Sequence, residues 1–244
     1  DTGERLEGFI HLAASVTEDM LRCERGDRVV TVRRMEWDDH AGRIIAVVEE
    51  RLGELVLSAR PDAASDEEAG PVLCDLIRTG RIKLTFSTSA RQLQRRVVLV
   101  KNTFPEEAWP DLSDEALRAR PEEWLLPSMN GVRTAQALAG IDLAAALRAK
   151  LTWGQQRLLD SRAPLAVTVP SGSRITLDYA AGELPVLAVK LQELFGLADT
   201  PQIAEGRVRV LLHLLSPARR PVQITQDLRN FWNAVYPDVK KDLK

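Results

Sequence analysis

Residues 185–232, PVLAVKLQELFGLADTPQIAEGRVRVLLHLLSPARRPVQITQDLRNFW, hold the densest apolar patterning of the chain, and a fold must bury this stretch before any other. Within it, Val208 to Leu215 reads as a strand, Ser216-Pro217 as its break and Arg219-Arg220-Pro221 as a basic corner. A helix is expected after an N-cap at Thr225, because Leu228, Phe231, Trp232 and Val235 then fall at i, i+3, i+4 and i+7 on one face. Pro237 either ends that helix or kinks it.

The segment before it is also strand-rich. LAVTV (Leu165 to Val169), the turn Pro170-Ser171-Gly172-Ser173 and RITLDYA read as a hairpin. Pro185 to Val189 follows as a strand, then a short helix to Gly196, the strand at 208–215, and a further strand at Val222 to Thr225. Five strands with a helix between the third and fourth is the element order of an OB-type barrel.

The first hundred residues have a different grammar. Residues 4–15 mix strand and helix signals, and Thr17 to Glu24 fits a short amphipathic helix. VVTVRRMEW, the turn Asp38-Asp39-His40-Ala41-Gly42, RIIAVVEE, Gly53 and ELVLS predict an antiparallel meander, with the break at Arg51-Leu52-Gly53 open to either a bulge or a turn. Pro61 to Pro71 is a polar loop that opens a helix carrying Leu73, Leu76 and Ile77 and ending at Gly80. Ser89 to Val100 predicts a helix with Leu93, Val97 and Val100 on one side and Arg91, Arg95 and Arg96 on the others. Phe104 to Pro110, with two prolines, marks a boundary, and residues 111–150 are helical and Ala-rich with a Leu143, Leu147, Leu151 stripe. The expected fold is α+β: two small, mostly antiparallel β modules, the second an OB-like candidate, joined by a helical segment. The expected divisions are 1–104, 105–160 and 161–244.

Composition narrows the function classes. The 244 residues are 45% hydrophobic, which suits a folded chain, and no apolar run approaches the roughly 20 residues of a membrane span. Neither a basic leader nor an apolar signal core opens the sequence. Cys23 and Cys74 stand far apart without ligand spacing, so neither a disulfide framework nor a metal site is indicated. A cytoplasmic chain with no membrane contact is expected. The formal charge is −2, yet residues 161–244 carry 11 Lys and Arg against 8 Asp and Glu. That local excess permits a phosphate track although the chain as a whole is acidic.

LQELFG (Leu191 to Gly196), LLHLLSPARRPVQIT (Leu211 to Thr225) and QDLRNFW (Gln226 to Trp232) resemble the C-terminal region of bacterial HrpB-type DExH-box ATP-dependent helicases, and the likeness extends more thinly from about Leu93 to the end and into the N-terminal part. In helicases of this kind, two RecA-like motor domains precede winged-helix, helical-bundle and often OB-like modules. The resemblance therefore implies that this chain follows the motor, braces it and guides a nucleic-acid strand. ATP and Mg would belong to motor domains elsewhere in the same polypeptide, and no cofactor is expected within this chain.

The residues agree that no engine is present. A phosphate-cradling P-loop needs G-x-x-x-x-G-K-[ST], and no Gly-Lys-Ser/Thr occurs. Asp114-Glu115-Ala116 imitates a DExH box but follows WPDLS where an apolar strand is required, so it reads as an acidic first helical turn. Ser89-Ala90-Arg91 imitates a helicase linker motif and reads as a helix start. His213, Ser216 and Asp227 supply triad residue types, but Ser216 precedes a proline and lacks the G-x-S-x-G elbow. His11 and His40 have no companions at ligand spacing, and the paired glutamates at 49–50, 67–68, 106–107 and 122–123 read as solvated faces.

What remains is a contact surface. Arg207, Arg209, Arg219, Arg220, Thr225, Gln226, Lys240 and Lys241 are candidates to line phosphates, and Tyr179 and Trp232 to offer stacking faces. Core packing competes for Trp232 and Phe231, plain solubilising charge for Arg219 and Arg220, and internal ion pairing for Arg33, Arg34, Arg95 and Arg96. Two functions follow: an accessory region contacting single-stranded nucleic acid, RNA before DNA, without reading sequence; or a scaffolding module that packs on the motor or a partner and never touches nucleic acid.

Overall fold

The computed structural model of the chain describes residues 14–242, with side chains through Lys240. The mixed signals at 4–15 fall almost wholly outside these residues, as do His11 and the side chain of Lys241. Helix α1 (Glu18–Arg25) starts at Thr17, whose hydroxyl accepts from the Met20 N–H, and none of its residues is buried. Strands β1 (Val29–Asp38) and β2 (Arg43–Leu52) then pair antiparallel in unbroken register. The Asp38 carboxylate closes their turn by accepting from the N–H groups of His40 and Ala41 at 2.9 and 3.0 Å. Strand β3 (Leu55–Asp62) returns along β2 with a register shift at Glu50/Arg51, so the break there is a bulge followed by a tight turn. It runs on through Pro61 and Asp62, which the sequence assigns to a loop. An edge strand tolerates a residue with no N–H to donate.

Helix α2 (Asp66–Arg78) opens with a capping box: Ser65 and Glu68 each satisfy the other's backbone N–H. Leu73, Leu76 and Ile77 are buried, as their spacing requires. Helix α3 (Thr88–Thr103) is capped by Ser87 and buries Leu93, Val97 and Val100. Arg96, expected to project outward, is only 3% exposed. Its Nε donates to the Ala163 carbonyl and its Nη2 to Asp160, both at 2.6 Å, and that satisfied fork is what lets a guanidinium sit inside. Four short helices follow, α4 (Asp114–Ala119), α5 (Ala135–Ala139), α6 (Leu143–Arg148) and α7 (Trp153–Arg162), each begun by a side-chain cap from Ser113, Thr134, Asp142 and Thr152. Asp114 and Glu115 occupy the first turn of α4.

The last third begins with the expected hairpin, β4 (Ala166–Thr168) and β5 (Arg174–Thr176), around a turn in which Gly172 sits at φ +86°. Strand β6 (Val186–Lys190) leads into a 3-10 turn at Leu191–Leu194. The single strand expected at 208–215 is two. β7 (Gln202–Ile203) pairs with β8 (Val208–Arg209), while β9 (Leu211–Leu215) pairs with β6 in parallel and with β10 (Pro221–Thr225) antiparallel. The chain changes partner at the buried Val210, whose N–H donates to the Pro201 carbonyl at 3.0 Å. A bridge between Asp178 and Val186 ties the β4–β5 hairpin to β6. No pairing among the described residues returns β10 to β4, so the closed OB-like barrel is not formed.

The terminal helix differs in its start and its course. Asp227, not Thr225, caps α8 (Leu228–Asn230), because Thr225 is still the last residue of β10. A π-turn at Phe231–Val235 follows, then α9 (Tyr236–Asp242). Pro237 therefore kinks the helix without ending it: the widened turn ahead of the ring relieves the clash and the lost hydrogen bond that proline brings to a regular helix. Leu73, Val97, Phe104, Leu147, Leu159, Leu187, Leu212 and Phe231, from all parts of the chain, belong to one contiguous core.

Candidate nucleic-acid interface

Several arginines of the first 160 residues are held by carboxylates. Arg33 is held by Asp62 and Glu68, Arg34 by Glu36 and Glu49, Arg91 by Asp114 and Arg133 by Asp66. The pairing expected of Arg33, Arg34 and Arg96 is present, whereas Arg95 makes no ion pair among the described residues. In the last third Arg162, Arg207 and Arg229 are paired, while Arg209, Arg219, Arg220 and Lys240 are exposed and make no ion pair among the described residues.

The β9–β10 corner explains how two of these are displayed. Ser216 clamps it from inside: its N–H donates to the Arg220 carbonyl at 2.9 Å and its hydroxyl accepts from the Arg220 N–H at 3.1 Å. Arg219, between them, adopts φ +61°, a left-handed conformation that costs a residue with a Cβ about 1 kcal/mol. Both guanidiniums are thrown outward into solvent.

At the other end of β10, roughly 14 Å away for a five-residue strand, Thr225 and Gln226 do structural work. The Thr225 hydroxyl accepts from the Asp227 N–H at 2.9 Å, and the Gln226 carbonyl accepts from the Thr200 hydroxyl at 2.7 Å. The Gln226 side-chain amide donates to the Arg209 carbonyl at 3.1 Å, which brings Arg209 to the same end of the sheet.

The aromatic residues divide differently from the sequence reading. Tyr179 is 3% exposed and its hydroxyl donates to the Pro164 carbonyl at 2.7 Å. Burial pushes its phenol pKa up, and a ring so enclosed has no face for a base. Trp232 is half-buried, its Nε1 donating to the Leu197 carbonyl at 2.8 Å, and Phe231 is in the core. In this part of the chain the exposed ring is Phe195, 48% accessible, with centroids 5.9 Å from Trp232 and 6.0 Å from Tyr236. These three with Gly196, Leu197 and Ala198 line an open hollow of about 320 Å³. Lys240 lies one helical turn beyond Tyr236. Phe195 was overlooked in the sequence because it sits in an apolar run; the signal lay in the Gly196 that follows, whose φ of +91° turns the chain and leaves the ring outside.

Arg207 is placed apart from this surface. Its guanidinium lies 4.3 Å from the centroid of Phe104, and its Nη1 donates to the Thr103 carbonyl at 3.1 Å. It fastens the corner after α3 to the turn between β7 and β8.

The other constellations dissolve into local structure. Ser216 serves the corner and Asp227 caps α8, so neither is free to partner His213. No cluster of three potential metal ligands occurs among the described residues, and no described helix is long and apolar enough to cross a membrane. Cys74 is buried, which raises its thiol pKa to about 11, while Cys23 is exposed on α1.

Comparison with known proteins places this architecture. Residues 124–244 match the family described as ATP-dependent helicase C-terminal, and residues 28–62 match the connector region of ATP-dependent RNA helicase HrpB. The ATP-dependent RNA helicase HrpB of Escherichia coli (strain K12) is 43% identical over 238 residues, 97% of this chain and 29% of the relative. The crystal structure of the E. coli DExH-box NTPase HrpB superposes with a TM-score of 0.72 at 40% identity, covering 94% of this chain and 29% of that one. A second crystal structure, of the E. coli DEAH/RHA helicase HrpB, gives 0.68 at 40% identity over 89% of this chain and 28% of that one. This chain thus spans under a third of the length of its relatives, and within them it corresponds to the connector and C-terminal regions. It belongs to the HrpB family of helicases.

Proposed function

We propose that this chain is a non-catalytic accessory region of an ATP-dependent RNA helicase, bracing the motor and contacting single-stranded RNA without reading its sequence. The observation that carries the reading is a set of exposed, unpaired cations in the last third of a chain that also exposes an aromatic ring there. Arg219 and Arg220 at the β9–β10 corner, Arg209 on β8 and Lys240 on α9 are exposed and make no ion pair among the described residues, and the Phe195 ring is 48% accessible. Unpaired guanidiniums with a stacking ring suit a sugar-phosphate strand, because every phosphate is anionic and every base has a face. The strain at Arg219 points the same way, since glycine would relax that corner and a long cation occupies it instead. ATP and Mg act in the motor part of the polypeptide in this reading, and the division at 104/105 and 160/161 separates a connector, a helical brace and the strand-contacting module.

A scaffolding reading has one observation in its favour: Val30, Val32, Leu55 and Val56 are exposed at the far end of the β1–β3 meander, a surface suited to packing on the motor. A salt titration of oligouridine binding separates the two. RNA contact predicts binding that weakens linearly in log–log form with salt and falls further in Arg219→Glu/Arg220→Glu. Absence of binding at low salt, with tight association to a separately expressed motor, would leave scaffolding alone.

A further inference from the structure

The most exposed large apolar side chain among the described residues is Trp153, at 72%. It stands at the first position of α7, behind the Thr152 cap, far in sequence from the β10 track. A ring of this size left in water forfeits the large burial free energy of an aromatic side chain and leaves a broad flat face open to a partner.

Its neighbours define the chemistry of that partner. The Arg157 guanidinium lies over the Trp153 ring, 4.8 Å from its centroid, and makes no ion pair among the described residues. One helical turn of spacing holds the two together, so the ring is fixed by a cation on one side. Arg148, at the end of α6, is exposed and equally without an ion pair, and the Gln156 side-chain amide, donating to the Arg148 carbonyl at 3.4 Å, brings it alongside α7. Three acids of the helical segment have other partners. Asp160 holds the buried Arg96 at 2.6 Å, and Glu123 holds Arg120 and Lys150 at 3.4 and 3.5 Å. Asp142 caps α6 by accepting from the Ala145 N–H. A flat apolar ring with one guanidinium over it, and a second arginine without an ion pair at the end of the neighbouring helix, is complementary to an anionic chain with flat apolar groups.

We infer that Trp153, Arg157 and Arg148 form a second contact for single-stranded nucleic acid, in which a base stacks on Trp153 and the flanking phosphates meet the two guanidiniums. The site rests on the proposed strand-guiding function and adds to it: the strand is gripped on the helical segment as well as along β10. Stacking on an indole tolerates every base, which suits contact without sequence preference.

The test uses the 244-residue chain and a fluorescein-labelled oligouridine followed by anisotropy. Trp153→Ala should weaken binding by about tenfold and Trp153→Phe by no more than about threefold, the range expected for losing or trimming one stacking platform. Arg148→Gln and Arg157→Gln should each reduce the salt slope by about 0.7, the value for one phosphate contact on a single strand. Thermal unfolding should be unchanged in all four variants, since these side chains lie on the surface. Wild-type affinity in Trp153→Ala, with binding lost in Arg219→Glu/Arg220→Glu, overturns this site and leaves the proposed function standing. Wild-type RNA binding in Trp153→Ala together with lost association to a separately expressed motor also overturns it, assigning the ring to a protein contact. No oligouridine binding by the unaltered chain overturns both.

Discussion

The guanidinium of Arg162 lies 3.9 Å from the centroid of the Phe104 ring, and that of Arg207 lies 4.3 Å from the same ring. Phe104 ends α3, Arg162 ends α7 and Arg207 belongs to the β7–β8 turn, so one ring fastens three parts of the chain. Arg162 is in turn held by Glu107 at 2.5 Å and Glu205 at 2.8 Å. Phe104→Ala should lower unfolding free energy by about 3–4 kcal/mol, the range for deleting a buried ring. Phe104→Leu, which keeps apolar volume but offers no π-face, should cost less. Urea denaturation reads both.

Arg219 gives a prediction in which stability and binding move in opposite directions. Glycine at that position relieves the left-handed backbone, so Arg219→Gly should raise stability by about 1 kcal/mol. The same change removes an unpaired guanidinium and should weaken oligouridine binding at low salt. A gain in stability with unchanged RNA affinity would show that Arg219 only solubilises the corner.

These two corners also show where sequence reasoning carries and where it stops. The meander, the α2 and α3 faces and the β4–β5 hairpin are legible because alternation, caps and glycine turns act over a few residues, within reach of local pattern. The split at Val210 is not legible: 208–215 (VRVLLHLL) runs on with no turn residue, and only the competition between β7 and β6 for pairing partners divides it. Arg96 fails for the same reason. Nothing near it in sequence announces the Ala163 carbonyl and Asp160 carboxylate that draw it inside. The cations of the candidate interface were legible as residue types, but the arginines taken by carboxylates and those left free separate only once the chain is folded.

The two thiols should differ sharply in reactivity. Cys23 is exposed on α1, while burial raises the Cys74 thiol to a pKa of about 11 and closes it off from reagents. Maleimide labelling of the native chain should stop at Cys23, and Cys74 should react only after denaturation. Equal labelling rates would contradict the packing of α2.

Acid should loosen the fold through its paired carboxylates. The Lys101 ammonium, 2.5 Å away, together with hydrogen bonds from Ser113, holds the Asp111 carboxyl down at about 2. Glu50, Asp62, Glu68 and Glu107 are likewise lowered, Glu50 and Glu107 first by Arg22 and Arg162, Asp62 by the Ala63 N–H, and Glu68 by Ser65. A carboxyl lowered in the folded state stabilises it above the unfolded value of about 3.9–4.3, and the benefit drains away as pH falls toward the folded value. Urea midpoints should therefore hold steady down to about pH 5 and drop between about pH 4 and 2. Asp111→Asn should flatten the lower part of that drop, modestly, because the pair is largely in solvent.

The aromatic residues offer the sharpest separation of framework from interface. Tyr179 and Phe195 both lie in the basic last third of the sequence, and only burial distinguishes their roles. Tyr179→Phe removes a buried hydroxyl that donates to the half-buried Pro164 carbonyl at 2.7 Å and leaves that acceptor without this partner. It should cost about 1–2 kcal/mol of stability and leave RNA affinity untouched. Phe195→Ala removes an exposed ring that rests on Trp232 and Tyr236, so its stability cost should be smaller than that of any core truncation. If a base stacks there, oligouridine affinity should fall by about tenfold. The reverse pattern, with binding lost in Tyr179→Phe and kept in Phe195→Ala, would mean that the strand contacts the hairpin face near Pro164 and that the hollow beside α9 plays no part in it.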